Sequence, residues 1–112
     1  MPKQSSRTYS RITRHAATLL GKQIRIARKA RMLPARELAE RAGISRGLLQ
    51  RIEKGDLGCR VGAVFEVAVI VGIKLFDADL ESLASGIRQA DEKIALLPKH
   101  THSVKKVVDD DF

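Results

Sequence analysis

The sequence predicts an all-α fold, and three observations carry that expectation. Residues 34–55 hold two short runs of helical apolar spacing joined by a glycine. On either side, residues 15–32 and 79–97 repeat apolar side chains at steps of three and four. Aromatic residues make up only 4% of the chain and Trp is absent, so the core has to be aliphatic. A length of 112 residues allows one compact domain plus tails.

Met1 to about Arg14 is polar and basic, with Lys3, Arg7, Arg11 and Arg14 set among Ser, Thr and Tyr9, and reads as a flexible arm. From His15 to about Met32, Leu20, Ile24 and Ala27 mark one helix whose other face carries Lys22, Arg25, Lys29 and Arg31. Pro34 stands at the start of the next helix, where its missing N–H costs nothing. In Ala35–Ala42 the residues Ala35, Leu38, Ala39 and Ala42 share one face, leaving Arg36, Glu37, Glu40 and Arg41 outward. Gly43 ends that helix at a position that needs positive φ, with Ile44 as an apolar plug. Ser45 is the expected N-cap of the following helix, in which Leu48, Leu49 and Ile52 form the buried stripe and Gly55 is the stop.

Asp56–Arg60 reads as a loop. The apolar segment Val61–Val71 is β-branched enough to pass for a buried strand by propensity alone. Val64, Ala68 and Val71 nevertheless repeat at helical spacing, and Gly72 is placed as a C-terminal stop. Phe65, Val67 and Ile70 would then point elsewhere on the same helix. They form either a protein interface or a surface covered by the downstream helix. Ile73-Lys74-Leu75-Phe76 alternates apolar and polar, and as a strand it would need a partner from a second copy. Leu80, Leu83, Ile87, Ala90, Ile94 and Leu97 form a heptad seam. Dimerisation is therefore expected through Phe65, Ile70, Ile73, Leu75, Phe76, Leu80, Leu83 and Ile87, by the short intermolecular strand or by the C-terminal helix. Pro98 ends the last helix.

Two short helices joined by a glycine turn are how a protein presents a helix to DNA. The outward face of the second one holds Ser45, Arg46, Gly47, Gln50, Arg51 and Lys54. Arginine and glutamine match base-edge donor and acceptor patterns bidentately, and small residues let the backbone approach the groove floor. Base reading falls to Ser45, Arg46, Gly47, Gln50 and Arg51, and phosphate anchoring to Arg36, Lys54, Arg60 and Lys22. Charge runs the same way. The chain is +8 overall, yet residues 1–60 hold 15 Lys and Arg against 4 Asp and Glu, while residues 61–112 hold 6 against 9. The basic half contains the two-helix unit and would attract phosphate, although RNA or an anionic membrane would feel the same field.

Leu20-Gly21-Lys22-Gln23-Ile24-Arg25 leading into Arg28, the two-helix unit, and the closing Arg51-Ile52-Glu53-Lys54-Gly55 together resemble the λ-repressor-like (XRE) family of helix-turn-helix domains over about residues 19–76. The resemblance implies a helical bundle with its third helix in the major groove and an ion pair between Arg28 and Glu53. It implies dimers that read two half-sites about 34 Å apart. One departure stands out. The family commonly opens its second helix with Thr-Gln, the glutamine clamping phosphate and a recognition-helix side chain. Pro34-Ala35 can do neither, and Arg36 is the candidate substitute.

The expected layout is a basic arm over residues 1–14, a helix-turn-helix domain over 15–76, a dimerisation helix over 77–97 and a flexible tail over 98–112. Cys59 is alone, which excludes an internal disulfide, and His15, His100 and His102 form no ligand or catalytic set. No cofactor, metal or enzymatic activity is expected. No signal peptide or spanning run appears, so the chain is placed in the cytoplasm with the bacterial nucleoid. An acidic run closing on an aromatic, with Asp110, Asp111 and Phe112, resembles the tail of HipB-type antitoxins, implying a HipA-like kinase toxin as a partner; a plain solvated tail is the alternative. The function classes left open are an antitoxin that represses its own operon, an autonomous regulator without a toxin, and an enzyme or RNA-binding domain. The last has no site constellation or stacking aromatics to support it.

Overall fold

The computed structural model describes residues 8–99. Among the described residues the chain forms five α-helices and no strand: α1 Arg11–Ala30, α2 Ala35–Ala42, α3 Arg46–Glu53, α4 Val61–Ile70 and α5 Leu80–Leu96, with a 3-10 turn at Leu75–Asp77. The chain divides into two compact units after Asp77.

In the first unit, α2 packs on α3 and α4, and α1 packs on α3. The core is wholly aliphatic: Ile24, Leu33, Leu38, Ala39, Leu49, Ile52, Val67, Ala68 and Val71. All four helices contribute, through the apolar stripes that the 3.6-residue period puts on one face, and Leu33 from the α1–α2 connection and Val71 just past α4 complete the core. Segment 61–71 is helical despite its β-branched content because Ala68 and Val71 then land in this core together with Val67, which was expected on the second face but lies four residues before Val71 and so shares its side. Burial outweighs a propensity difference of only about 1 kcal/mol.

Helix α1 begins earlier than expected. The Ser10 hydroxyl accepts the Thr13 N–H at 3.2 Å, so the first turn is capped and Arg11–Arg14 are helical rather than part of a flexible arm. A basic composition does not prevent a helix once an N-cap satisfies its first donors. Residues 1–7 of the expected arm lie outside the described residues.

Four helices end alike, with an N–H returning to the carbonyl five residues back: Leu33 to Arg28 at 3.1 Å, Ile44 to Ala39 at 3.0 Å, Asp56 to Arg51 at 3.0 Å and Ile73 to Ala68 at 2.9 Å. This return needs one left-handed residue. Gly43, Gly55 and Gly72 supply it at φ 71°, 83° and 88°. The fourth is Met32, at φ 55°, an exposed side chain in a conformation that costs about 1 kcal/mol.

The extended run expected at Ile73–Phe76 is absent from the chain. Leu75–Asp77 is a 3-10 turn, and Phe76 is left-handed at φ 56°, ψ 23°. Four extended residues without a neighbouring strand would leave their backbone groups unpaired. The turn lets Ile73 and Leu75 pack against the core instead, leaving Phe76 82% exposed.

The second unit is α5. Asp79 caps it, accepting the Ser82 N–H at 2.9 Å, and that hydrogen bond holds its carboxyl below the usual range. None of its residues is buried, and its seam residues Leu80, Ile87, Ile94 and Leu97 are all exposed.

Candidate nucleic-acid interface

Helix α3 is only eight residues long and is held at both ends and from behind. At its start the Ser45 hydroxyl accepts the Leu48 N–H at 3.0 Å. Leu49 and Ile52 bury its inner face in the core. At its end two glycines let the backbones close up. A Cβ at Gly21 of α1 would stand 2.6 Å from the carbonyl oxygens of Ile52 and Glu53, and one at Gly55 would stand 2.7 Å from the Thr18 Cα. Both distances are below any real Cβ contact, so α1 and the end of α3 touch only because these residues lack side chains.

An ion pair ties the same two helices. Arg28 Nε donates to Glu53 Oε2 at 2.7 Å and Nη2 to Oε1 at 3.1 Å, a two-pronged contact, while Nη1 donates to the Leu33 carbonyl at 3.1 Å. The side chains keep 11% and 8% of their exposure. The hydrogen bond to Glu53 raises the Arg28 guanidinium above its ordinary pKa, against a smaller opposing effect of burial. One arginine therefore closes the α1 turn and buttresses the end of α3.

With its back fixed, α3 turns Ser45, Arg46, Gly47, Gln50, Arg51 and Lys54 to the outside, and all six are exposed. Gly47, Gln50 and Lys54 occupy the middle of that face, with Arg46 and Arg51 on its two edges. Beside it lies a concavity of about 440 Å3 walled by α1, α3 and the start of α2. Arg25, Arg46, Gln50 and Lys54 line it, with Ala35 at the α2 side and the Arg28–Glu53 pair against it. Because Glu53 is already matched to Arg28, the cavity presents an excess of positive charge. Ala35 leaves room where a longer side chain would stand.

Of the cations expected to hold phosphate, Lys54 lines this concavity, whereas Lys22, Arg36 and Arg60 are exposed but do not line it. Arg25, not singled out from the sequence as a phosphate contact, lines it too. It was recoverable, because it sits three residues before Arg28 and so shares the helix face turned to α3. Asp56 is the other residue not singled out. Its Oδ2 lies 3.4 Å from Arg51 Nε, and its Oδ1 accepts the Gly58 N–H at 2.7 Å.

The residues expected to dimerise fall into two groups. Ile70, Ile73 and Leu75 are half-buried against the core, and Phe65 edges an apolar cleft of about 220 Å3 with Leu20, Ile52 and Val64. Phe76, Leu80 and Ile87 are exposed and Leu83 is half-buried. Cys59 is half-buried. Its thiol pKa is raised chiefly by burial and further by Asp56, with Arg51 pulling the other way. Among the described residues no cluster of His, Cys, Asp or Glu is placed to hold a metal ion, and no helix is long and apolar enough to cross a membrane. Asp110, Asp111 and Phe112 lie outside the described residues.

Residues 19–97, well over half of the chain, match the family model described as a helix-turn-helix domain. The chain belongs to the helix-turn-helix family of DNA-binding domains. The matched span runs from within α1 through α5 and includes the whole of the α2–α3 unit. No curated protein and no solved structure matches the chain.

Proposed function

We propose that this helix-turn-helix protein is a sequence-specific transcriptional repressor of the λ-repressor-like (XRE) kind, which lays α3 in the major groove and acts as a dimer. The observation that carries this reading is the outer face of α3: six exposed polar or small residues on a short helix fixed by a cap, two close backbone contacts and a buttressing ion pair. A rigid face of that composition is what direct readout of base edges requires. Ser45, Arg46, Gly47, Gln50 and Arg51 read bases. Lys54, with Arg25 beside it and Arg36, Arg60 and Lys22 further out, holds phosphates. The exposed α5 seam supports dimerisation through that helix rather than through residues 73–76. Such a protein works on the nucleoid in the cytoplasm.

Every group this reading uses for DNA contact lies in helices α1–α3 or at the caps of α3 and α4. The narrower role of a HipB-type antitoxin holding a HipA-like kinase rests on Val108–Phe112, outside the described residues, and on family resemblance; an autonomous regulator without a toxin partner is the alternative. Loss of kinase co-purification on deleting the last five residues would support the narrower role.

The test is a titration of full-length protein against duplexes enriched from a randomised pool and against random duplex. Arg46→Ala is expected to cost about 1–3 kcal/mol on the enriched duplex and far less on random DNA. Equal losses on both would remove Arg46 from base reading. A flat response between 50 and 200 mM salt, where six to ten phosphate contacts predict a fall of about 10³ to 10⁵ in affinity, would reject DNA as the partner.

A further inference from the structure

We propose that Asp56 is a positioning residue for DNA reading, whose carboxylate orients the Arg51 guanidinium at the C-terminal edge of α3 so that its remaining N–H groups meet one base edge. The inference rests on the reading above and adds to it a residue beyond the recognition helix and the base pair it governs.

The geometry is built from both sides. Asp56 is fixed before it meets Arg51: its N–H returns to the Arg51 carbonyl at 3.0 Å, and Oδ1 accepts the Gly58 N–H at 2.7 Å. The second carboxylate oxygen then stands 3.4 Å from Arg51 Nε. A guanidinium carries five N–H groups in a planar fork. One carboxylate oxygen at the Nε side occupies only part of that fork. Donors remain for the O6 and N7 acceptors of a guanine.

An arginine on a solvent-exposed helix edge loses side-chain freedom when it is fixed on a base. A carboxylate that restrains it beforehand removes part of that cost. The two side chains stay 55% and 42% exposed, so the pair contributes little to folding, which separates a positioning role from a structural one. Arg46, on the opposite edge of the face, has no such carboxylate partner among the described residues, so the two arginines of α3 differ in preparation as well as position.

The experiment uses full-length protein and a duplex enriched from a randomised pool, with every single-base-pair variant of it and random duplex as competitors. Asp56→Asn keeps an oxygen to accept the Gly58 N–H and removes the charge facing Arg51. The expected result is a three- to tenfold loss of discrimination at one base pair, with discrimination at the others and the melting temperature unchanged. Arg51→Ala should abolish discrimination at the same pair, and adding Asp56→Asn to it should change nothing further there, the mark of two residues acting as one. Asp56→Glu should restore part of the preference.

If Asp56 only repels phosphate, Asp56→Asn will tighten enriched and random duplex alike, which overturns the inference. If Asp56 instead holds Arg51 off the DNA, Asp56→Asn will sharpen the preference, which also overturns it. Independent, additive effects of the two substitutions do the same. A wild type that enriches no sequence at all overturns both this inference and the function on which it rests.

Discussion

Helices α3 and α5 carry the same kind of sequence signal and have opposite structural fates. Both are amphipathic, and both are capped by a side-chain oxygen that accepts an N–H three residues on, Ser45 for α3 and Asp79 for α5. The shorter one is fixed. Eight residues would not form a stable helix alone in water, yet α3 has two buried side chains, two glycine-permitted backbone contacts and the Arg28 buttress. The longer one, with 17 residues, buries none of them and leaves Leu80, Ile87, Ile94 and Leu97 in solvent. Apolar periodicity announces a helix with a face to cover; it does not say whether the same chain covers it.

That contrast can be broken by substitution. The largest effect is expected at Glu53→Ala, which leaves the Arg28 guanidinium half-buried without its partner. About 3 kcal/mol of unfolding free energy should be lost in a urea titration, together with operator affinity. An effect under about 0.5 kcal/mol would mean that the pair does not hold α3 in place. Next comes Gly21→Ala. Its methyl group would meet two carbonyl oxygens at 2.6 Å, and the forced separation of α1 from α3 should cost about 1–3 kcal/mol by the same titration. The smallest effect on folding is expected at Ile87→Ser in the α5 seam, within about 0.5 kcal/mol for the first unit, while sedimentation should move toward monomer. A core-sized loss of stability on Ile87→Ser, with no change in association, would erase the difference between the two helices.

Much of the first unit was legible because local chemistry and burial point the same way there. Ala35–Ala42 has the expected bounds, Ser45 caps α3, and Gly43, Gly55 and Gly72 take left-handed conformations at the expected helix ends. The earlier start of α1 was missed because a basic run was read by charge rather than by the cap at Ser10. Residues 73–76 are not extended in this chain for a different reason. Alternation marks a strand only if a partner exists, and the core competed successfully for Ile73 and Leu75. At the interface, the residues of α3 follow from helical period alone. Arg25 follows only once Arg28 is known to face α3, and Asp56 does not follow at all, since its contact with Arg51 depends on how the chain turns after α3.

The sequence by itself determined where the helices lie, which face of each is apolar, and that a basic, small-residue face occupies positions 45–54. Each of these follows from spacing, capping and charge within a few residues along the chain. The Arg28–Glu53 pair expected from the family resemblance is present, but only the tertiary structure decided that Arg25 rather than Lys22 or Arg36 lines the cationic concavity and that Asp56 stands against Arg51. The physical reason is that these contacts join segments whose approach is set by core packing and by the absence of a side chain at Gly21 and Gly55, which no local pattern encodes.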